Sequence, residues 1–70
     1  MACWSYFEVG KVIYRLCWDN LSYGDFVFIP CVYSLPIVER LKRDAQKFDT
    51  VIKIEIGEYG GKWGVGFWRL

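Results

Sequence analysis

The chain contains no histidine. That removes the usual general base near neutral pH, the Ser–His and Cys–His nucleophile pairs, and most zinc sites. Cysteine is scarce and odd in number: Cys3, Cys17 and Cys31. No two stand at the short spacing that closes a metal chelate. An odd count behind Met1-Ala2-Cys3-Trp4, which has neither a basic n-region nor a cleavage site, gives no disulfide framework. The expectation is free, buried thiols in a reducing cytoplasm. Their equal spacing is read as coincidence, because the flanking residues do not recur. Charge of one sign is also lacking: nine basic and eight acidic residues leave a net +1, so no overall field draws in nucleic acid or an anionic membrane. The most apolar run, residues 26–38, falls well short of the ~20 residues that span a bilayer, and Pro30 and Pro36 interrupt it.

What the chain has in excess is apolar surface. Of its 70 residues, 54% are hydrophobic and 20% aromatic. This length makes one small domain, residues 1–70. A domain of that size buries only ~60% of its unfolded surface, so it relies on a rich core or on a partner.

Periodicity organises the rest. Residues 4–9 have strand composition with poor alternation, and Gly10-Lys11 suits a two-residue turn with glycine first. Residues 12–18 follow as a cleaner strand, with Val12, Tyr14, Leu16 and Trp18 on one face. Residues 26–33 read as a strand that is apolar on both faces, and Pro30 suggests an edge or a bulge. The pattern then turns helical over residues 35–48, with Ser34 as N-cap and Pro36 in the first turn. Ile37, Val38, Leu41, Ala45 and Phe48 share one ~100° stripe, and the charged residues fall outside it. Residues 50–56 alternate again, with Ile52, Ile54 and Ile56 opposite Lys53 and Glu55. Tyr59-Gly60-Gly61-Lys62 is a hairpin signal, and residues 63–69 return. The expected fold is α+β: a mostly antiparallel four- or five-stranded curved sheet packed on one helix, in the order β-β-β-α-β-β.

No set of residues makes a catalytic site. Glu55 and Glu58 are read as solvated, and the glycines of residues 57–61 precede no helix that could receive a phosphate. The chain is therefore expected to be neither an enzyme nor a cofactor binder. One helix covers one side of the sheet, yet Phe26, Phe28, Val32 and Trp68 supply apolar surface for a second. Trp68 shares its strand face only with Gly64 and Gly66. These four residues are the candidate interface of a small binding module that acts through protein–protein contact and self-associates. The size and layout are compatible with small proteins carried by phages and other mobile elements. The alternative is a nucleic-acid or small-ligand binder that uses sheet aromatics together with a basic helix edge of Arg40, Arg43 and Lys47. Residues 62–68 alternate basic, glycine and aromatic residues as an RNA-recognition-motif strand does. However, Trp63 stands where that motif has glycine, and one helix is fewer than that fold requires.

Overall fold

A computed structural model describes residues 3–70. Met1 and Ala2, half of the stretch read for a leader, lie outside the described residues. The elements are β1 (Trp4–Val9), β2 (Val12–Cys17), a 3-10 turn (Trp18–Asn20), β3 (Phe26–Pro30), α1 (Ser34–Lys47), β4 (Ile52–Tyr59) and β5 (Lys62–Arg69). The class and element order are those predicted from the sequence. The five strands divide between two antiparallel sheets, a β1–β2 ribbon and a three-stranded sheet in the order β3-β5-β4. The division follows from the segment after β2. Trp18 donates its backbone N–H to the Cys3 carbonyl (3.0 Å) and then enters the 3-10 turn, which ends the ladder instead of folding a further hairpin. β3 and β4 run parallel to one another, each antiparallel to the β5 strand between them.

Local chemistry sets the boundaries. At the first hairpin only Gly10 takes positive φ (62°), whereas at the second both Gly60 (58°) and Gly61 (80°) do, the requirement of a type I′ turn. β3 ends at Pro30, whose missing N–H faces the open edge of the sheet. Cys31 N–H adds one last bond to the Trp63 carbonyl (3.0 Å), but β5 has by then nearly reached its turn, so the expected strand through residue 33 is three residues too long. Ser34 is the first helical residue and does not cap. Tyr33 occupies the N-cap in extended conformation, without a side-chain hydrogen bond. At the other end Thr50 N–H reaches the Ala45 carbonyl (2.8 Å) and Asp49 N–H the Gln46 carbonyl (3.1 Å). This is a Schellman ending, with Asp49 at φ 54° in the place that glycine usually takes.

One face of the three-stranded sheet carries Val27, Ile29, Val65 and Phe67, with Ile52 and Ile54 toward the β4 edge. Two elements cover it. The α1 stripe contributes Val38, Leu41 and Ala45, with Ile37 and Phe48 at its margins; the inner side of the ribbon contributes Phe7 and Leu16, followed by Trp18 and Leu21. The helix does not reach the far end of this face, where Trp63 (54% exposed) and Ile56 (49%) lie open. Both are therefore less buried than their strand positions predict.

Trp18 joins these layers. Its ring stacks on Phe48 (centroids 6.2 Å) and Phe67 (5.7 Å). Its indole N–H donates to Ser5 Oγ (2.7 Å), Ser5 Oγ donates to Asp44 Oδ2 (2.6 Å), and Arg40 Nε donates to the same carboxylate oxygen (3.1 Å). Ser5 is fully buried and Asp44 nearly so. Burying a Trp removes roughly 150–250 Å² from water, or roughly 4–6 kcal/mol at ~25 cal/mol/Å². Ring burial thus stabilises more than the hydrogen bonds do, and the bonds remove the penalty for burying the polar atoms that accompany the ring. Two sequence expectations are corrected here. Asp44 is one of the charged residues that fall outside the apolar stripe and so read as solvated, yet it is buried, because its carboxylate is the acceptor that closes this chain of bonds. The poor alternation of β1 is a regular inward set of Ser5, Phe7 and Val9, disguised by a serine facing the core.

Ser5→Ala would strand both the indole N–H of Trp18 and one bond to the Asp44 carboxylate. It is expected to cost about 1–3 kcal/mol, read as a lower urea midpoint with the slope unchanged.

Candidate functional site

Among the described residues, no other element covers the opposite face of the three-stranded sheet. Register places Phe26 beside Trp68, Phe28 beside Gly66 and Pro30 beside Gly64 on the β3–β5 side. On the other side Lys53 lies beside Trp68 and Glu55 beside Gly66. The Phe26 ring lies over Gly66 and the Phe28 ring over Gly64: a Cβ added at those glycines would sit 2.7 and 2.9 Å from the two rings. The gap beside Trp68 is therefore filled from the neighbouring strand. Four rings form one cluster, with centroids at 4.6 Å for Phe26–Trp68, 5.0 Å for Phe26–Tyr59 and 5.2 Å for Phe28–Tyr59. Lys53 Nζ stands 5.9 Å over the Trp68 ring, a cation–π contact at the rim. Phe26 and Tyr59 are each more than a third exposed, and Phe28 and Trp68 are partly buried.

Of the residues singled out from the sequence, Phe26, Phe28 and Trp68 thus come together. Val32 does not, because β3 ends before it. It is 85% exposed, beside a separate apolar recess lined by Val9, Pro30, Cys31, Lys62 and Trp63. Tyr59 belongs to the cluster although sequence reasoning misses it. As a residue of the hairpin signal it reads as turn chemistry, and only the β4–β5 register brings it under the β3 rings.

The basic helix residues lie elsewhere. Arg40 is engaged with Asp44 and stands over the Phe7 ring (5.8 Å). Arg43 Nε is 3.9 Å from Asp44 Oδ1, and Lys47 Nζ is 5.5 Å over Phe48. Since α1 packs on the core face, these cations and the aromatic cluster occupy opposite sides of the three-stranded sheet. They do not make one surface.

The thiols are free. Cys3 Sγ and Cys17 Sγ lie 3.3 Å apart and partly buried at the end of the ribbon. Cys31 is buried, and that burial pushes its thiol above the ordinary range, offset in part by a hydrogen bond with the Val65 backbone. Among the described residues, no three Cys, Asp or Glu side chains gather as a metal-ligand set, and no helix is long and apolar enough to cross a membrane.

No protein-family model matches the chain, and no curated protein or solved structure matches it either.

The two glycines beneath the rings should respond differently to alanine. At Gly64 a Cβ would stand 2.3 Å from the Ile29 carbonyl oxygen and 2.8 Å from the Pro30 Cα, both backbone atoms. Gly64→Ala is expected to force the two strands apart and cost about 1–3 kcal/mol in urea denaturation. At Gly66 the closest obstacle is the far end of the Phe26 side chain. Gly66→Ala is expected to swing that ring outward, changing the near-ultraviolet circular dichroism with little change in stability.

Proposed function

We propose that this protein is a non-enzymatic binding module that works through protein–protein contact, with the outer aromatic face of its three-stranded sheet as the contact surface and a second copy of the chain as a partner. The observation that carries this reading is the Phe26–Phe28–Tyr59–Trp68 cluster on a face that no element among the described residues covers. Monomeric proteins rarely leave contiguous apolar patches of more than a few hundred Å² in water. Rings already seated over glycine and against one another lose little rotamer freedom on contact, and a rim with Lys53 and Glu55 around an aromatic centre has the make-up of an interface. Two such faces meeting would form a sheet-on-sheet packing. The reading as a nucleic-acid or small-ligand binder receives less support. It requires the aromatics and the helix cations to act together, and they stand on opposite sides of the sheet.

Light scattering on a sizing column over a range of concentrations tests the proposal. The wild type is expected to run above monomer mass. Phe28→Glu, and Phe26→Lys as a second variant, should lower that mass with the far-ultraviolet circular dichroism unchanged. A mass unaffected by either substitution would reject the face as the contact surface. No binding of a labelled single-stranded oligonucleotide at low salt is expected.

A further inference from the structure

A second contact, separate from the aromatic face, is available along the free edge of β4. β4 is one of the two edge strands of its sheet and, unlike β3, is eight residues long, Ile52–Tyr59, with no proline. Its hydrogen-bonding parity can be read from its end. Leu70 donates its N–H to the Val51 carbonyl (2.9 Å), so the odd-numbered residues of β4 bond to β5. The N–H and C=O groups of Ile52, Ile54 and Ile56 therefore point to the open edge. The groove between this edge and α1, lined by Val38, Lys42, Ile52, Ile54 and Ile56, is likewise open, and Ile56 is half exposed. An unprotected edge of this kind is a template for another strand.

We propose that the strand it takes is β4 of a second copy, paired antiparallel about a two-fold axis through Ile54. In that register Ile54 faces Ile54 of the second copy in a hydrogen-bonded pair, and Ile52 faces Ile56 on either side. The outward isoleucine N–H and C=O groups then all find partners. Lys53 falls opposite Glu55 of the second copy, and Glu55 opposite its Lys53. Both pairs occupy the non-hydrogen-bonded positions, where side chains approach most closely. Charge chooses this register over its neighbours. A shift of one step, keeping the faces aligned, sets Glu55 against Glu55 or Lys53 against Lys53, and like charges directly opposite are unfavourable. The charges that bar those slipped pairings thus permit this one, and the two-fold consumes both β4 edges, so the assembly closes. The axis stands perpendicular to the sheet. Both helices stay on the core side, the isoleucine strips meet beneath them, and the two aromatic faces continue into each other across six strands. The proposal shares with the proposed function the idea of self-association and the rim residues Lys53 and Glu55, but none of the four aromatic residues takes part in it.

The test is a charge swap in a Phe28→Glu background, which removes the aromatic contact and isolates the edge, with a Phe26→Lys background as the second arm. Each background is expected to remain dimeric. Adding K53E or E55K should raise the dimer dissociation constant roughly tenfold or more. An equimolar mixture of the K53E and E55K proteins should recover the dimer, since each new carboxylate then meets a new ammonium, and K53E/E55K on one chain should recover it as well. A background that is monomeric at every concentration would overturn the edge pairing while leaving the aromatic-face reading intact. Single reversals without effect, or mixtures without recovery, would overturn it too. An unchanged mass in the Phe28→Glu and Phe26→Lys backgrounds, combined with sensitivity to the swaps, would instead reject the face and keep the edge.

Discussion

The structure depends on one buried carboxylate. Asp44 sits on the helix beside the apolar stripe and accepts from Ser5 of β1, which in turn accepts from Trp18 at the end of β2. Through these bonds the helix, the ribbon and the ring that fills the space between them are fixed relative to one another. The charge is balanced by Arg40 one turn earlier, so the carboxylate is neither isolated nor fully solvated. Apolar burial supplies most of the stability, but a greasy contact tolerates sliding. A serine that must both donate and accept at set distances does not. The two sheets, which share no ladder, are held in one arrangement by this chain of bonds together with the Trp18 stack on Phe67 and Phe48.

A division of labour between the two sides of the three-stranded sheet follows. The side toward Trp18 is closed by helix and ribbon. The other is closed only by rings leaning from β3 over the glycines of β5, which hides backbone but leaves aromatic edges in water. Glycine there does two jobs. At Gly64 it lets the β3 backbone come close, and at Gly66 it lets a ring lie down. The outcome is a cluster of mutually tilted rings, set in place before any partner arrives.

How far the sequence reveals this depends on whether the information is local. The helix stripe of Val38, Leu41 and Ala45 is legible because a 3.6-residue period repeats within a few turns. The glycine pair at residues 60 and 61 is legible because its backbone conformation excludes most other residues. Asp44 is not legible, since a carboxylate among Arg40, Arg43 and Lys47 reads as one more solvated charge. Its burial depends on a serine 39 residues away in the chain. Ser5 misleads in the same way, breaking the alternation it belongs to. The aromatic face is half legible. Phe26, Phe28 and Trp68 are visible as surplus apolar residues, but that they touch depends on β3 lying next to β5, and strand order leaves no local trace. Val32 reads as one of them only because residues 26–33 alternate past the proline that ends the strand.

Strand order carries a further consequence. β5 is the last of the five strands in the chain, yet it is the one on which both β3 and β4 pair. During synthesis the ribbon can zip by itself as soon as its turn is made. β3, the helix and β4 must wait, because neither of those strands has a neighbour until the final one is present. For that interval the helix has no sheet to lie on, and β4 has two bare edges instead of one. The three-stranded half of the molecule is therefore assembled late around its youngest strand, from a local β4–β5 hairpin and from β3–β5 contacts distant in sequence. Until that step, a two-stranded ribbon is all the sheet the chain can form.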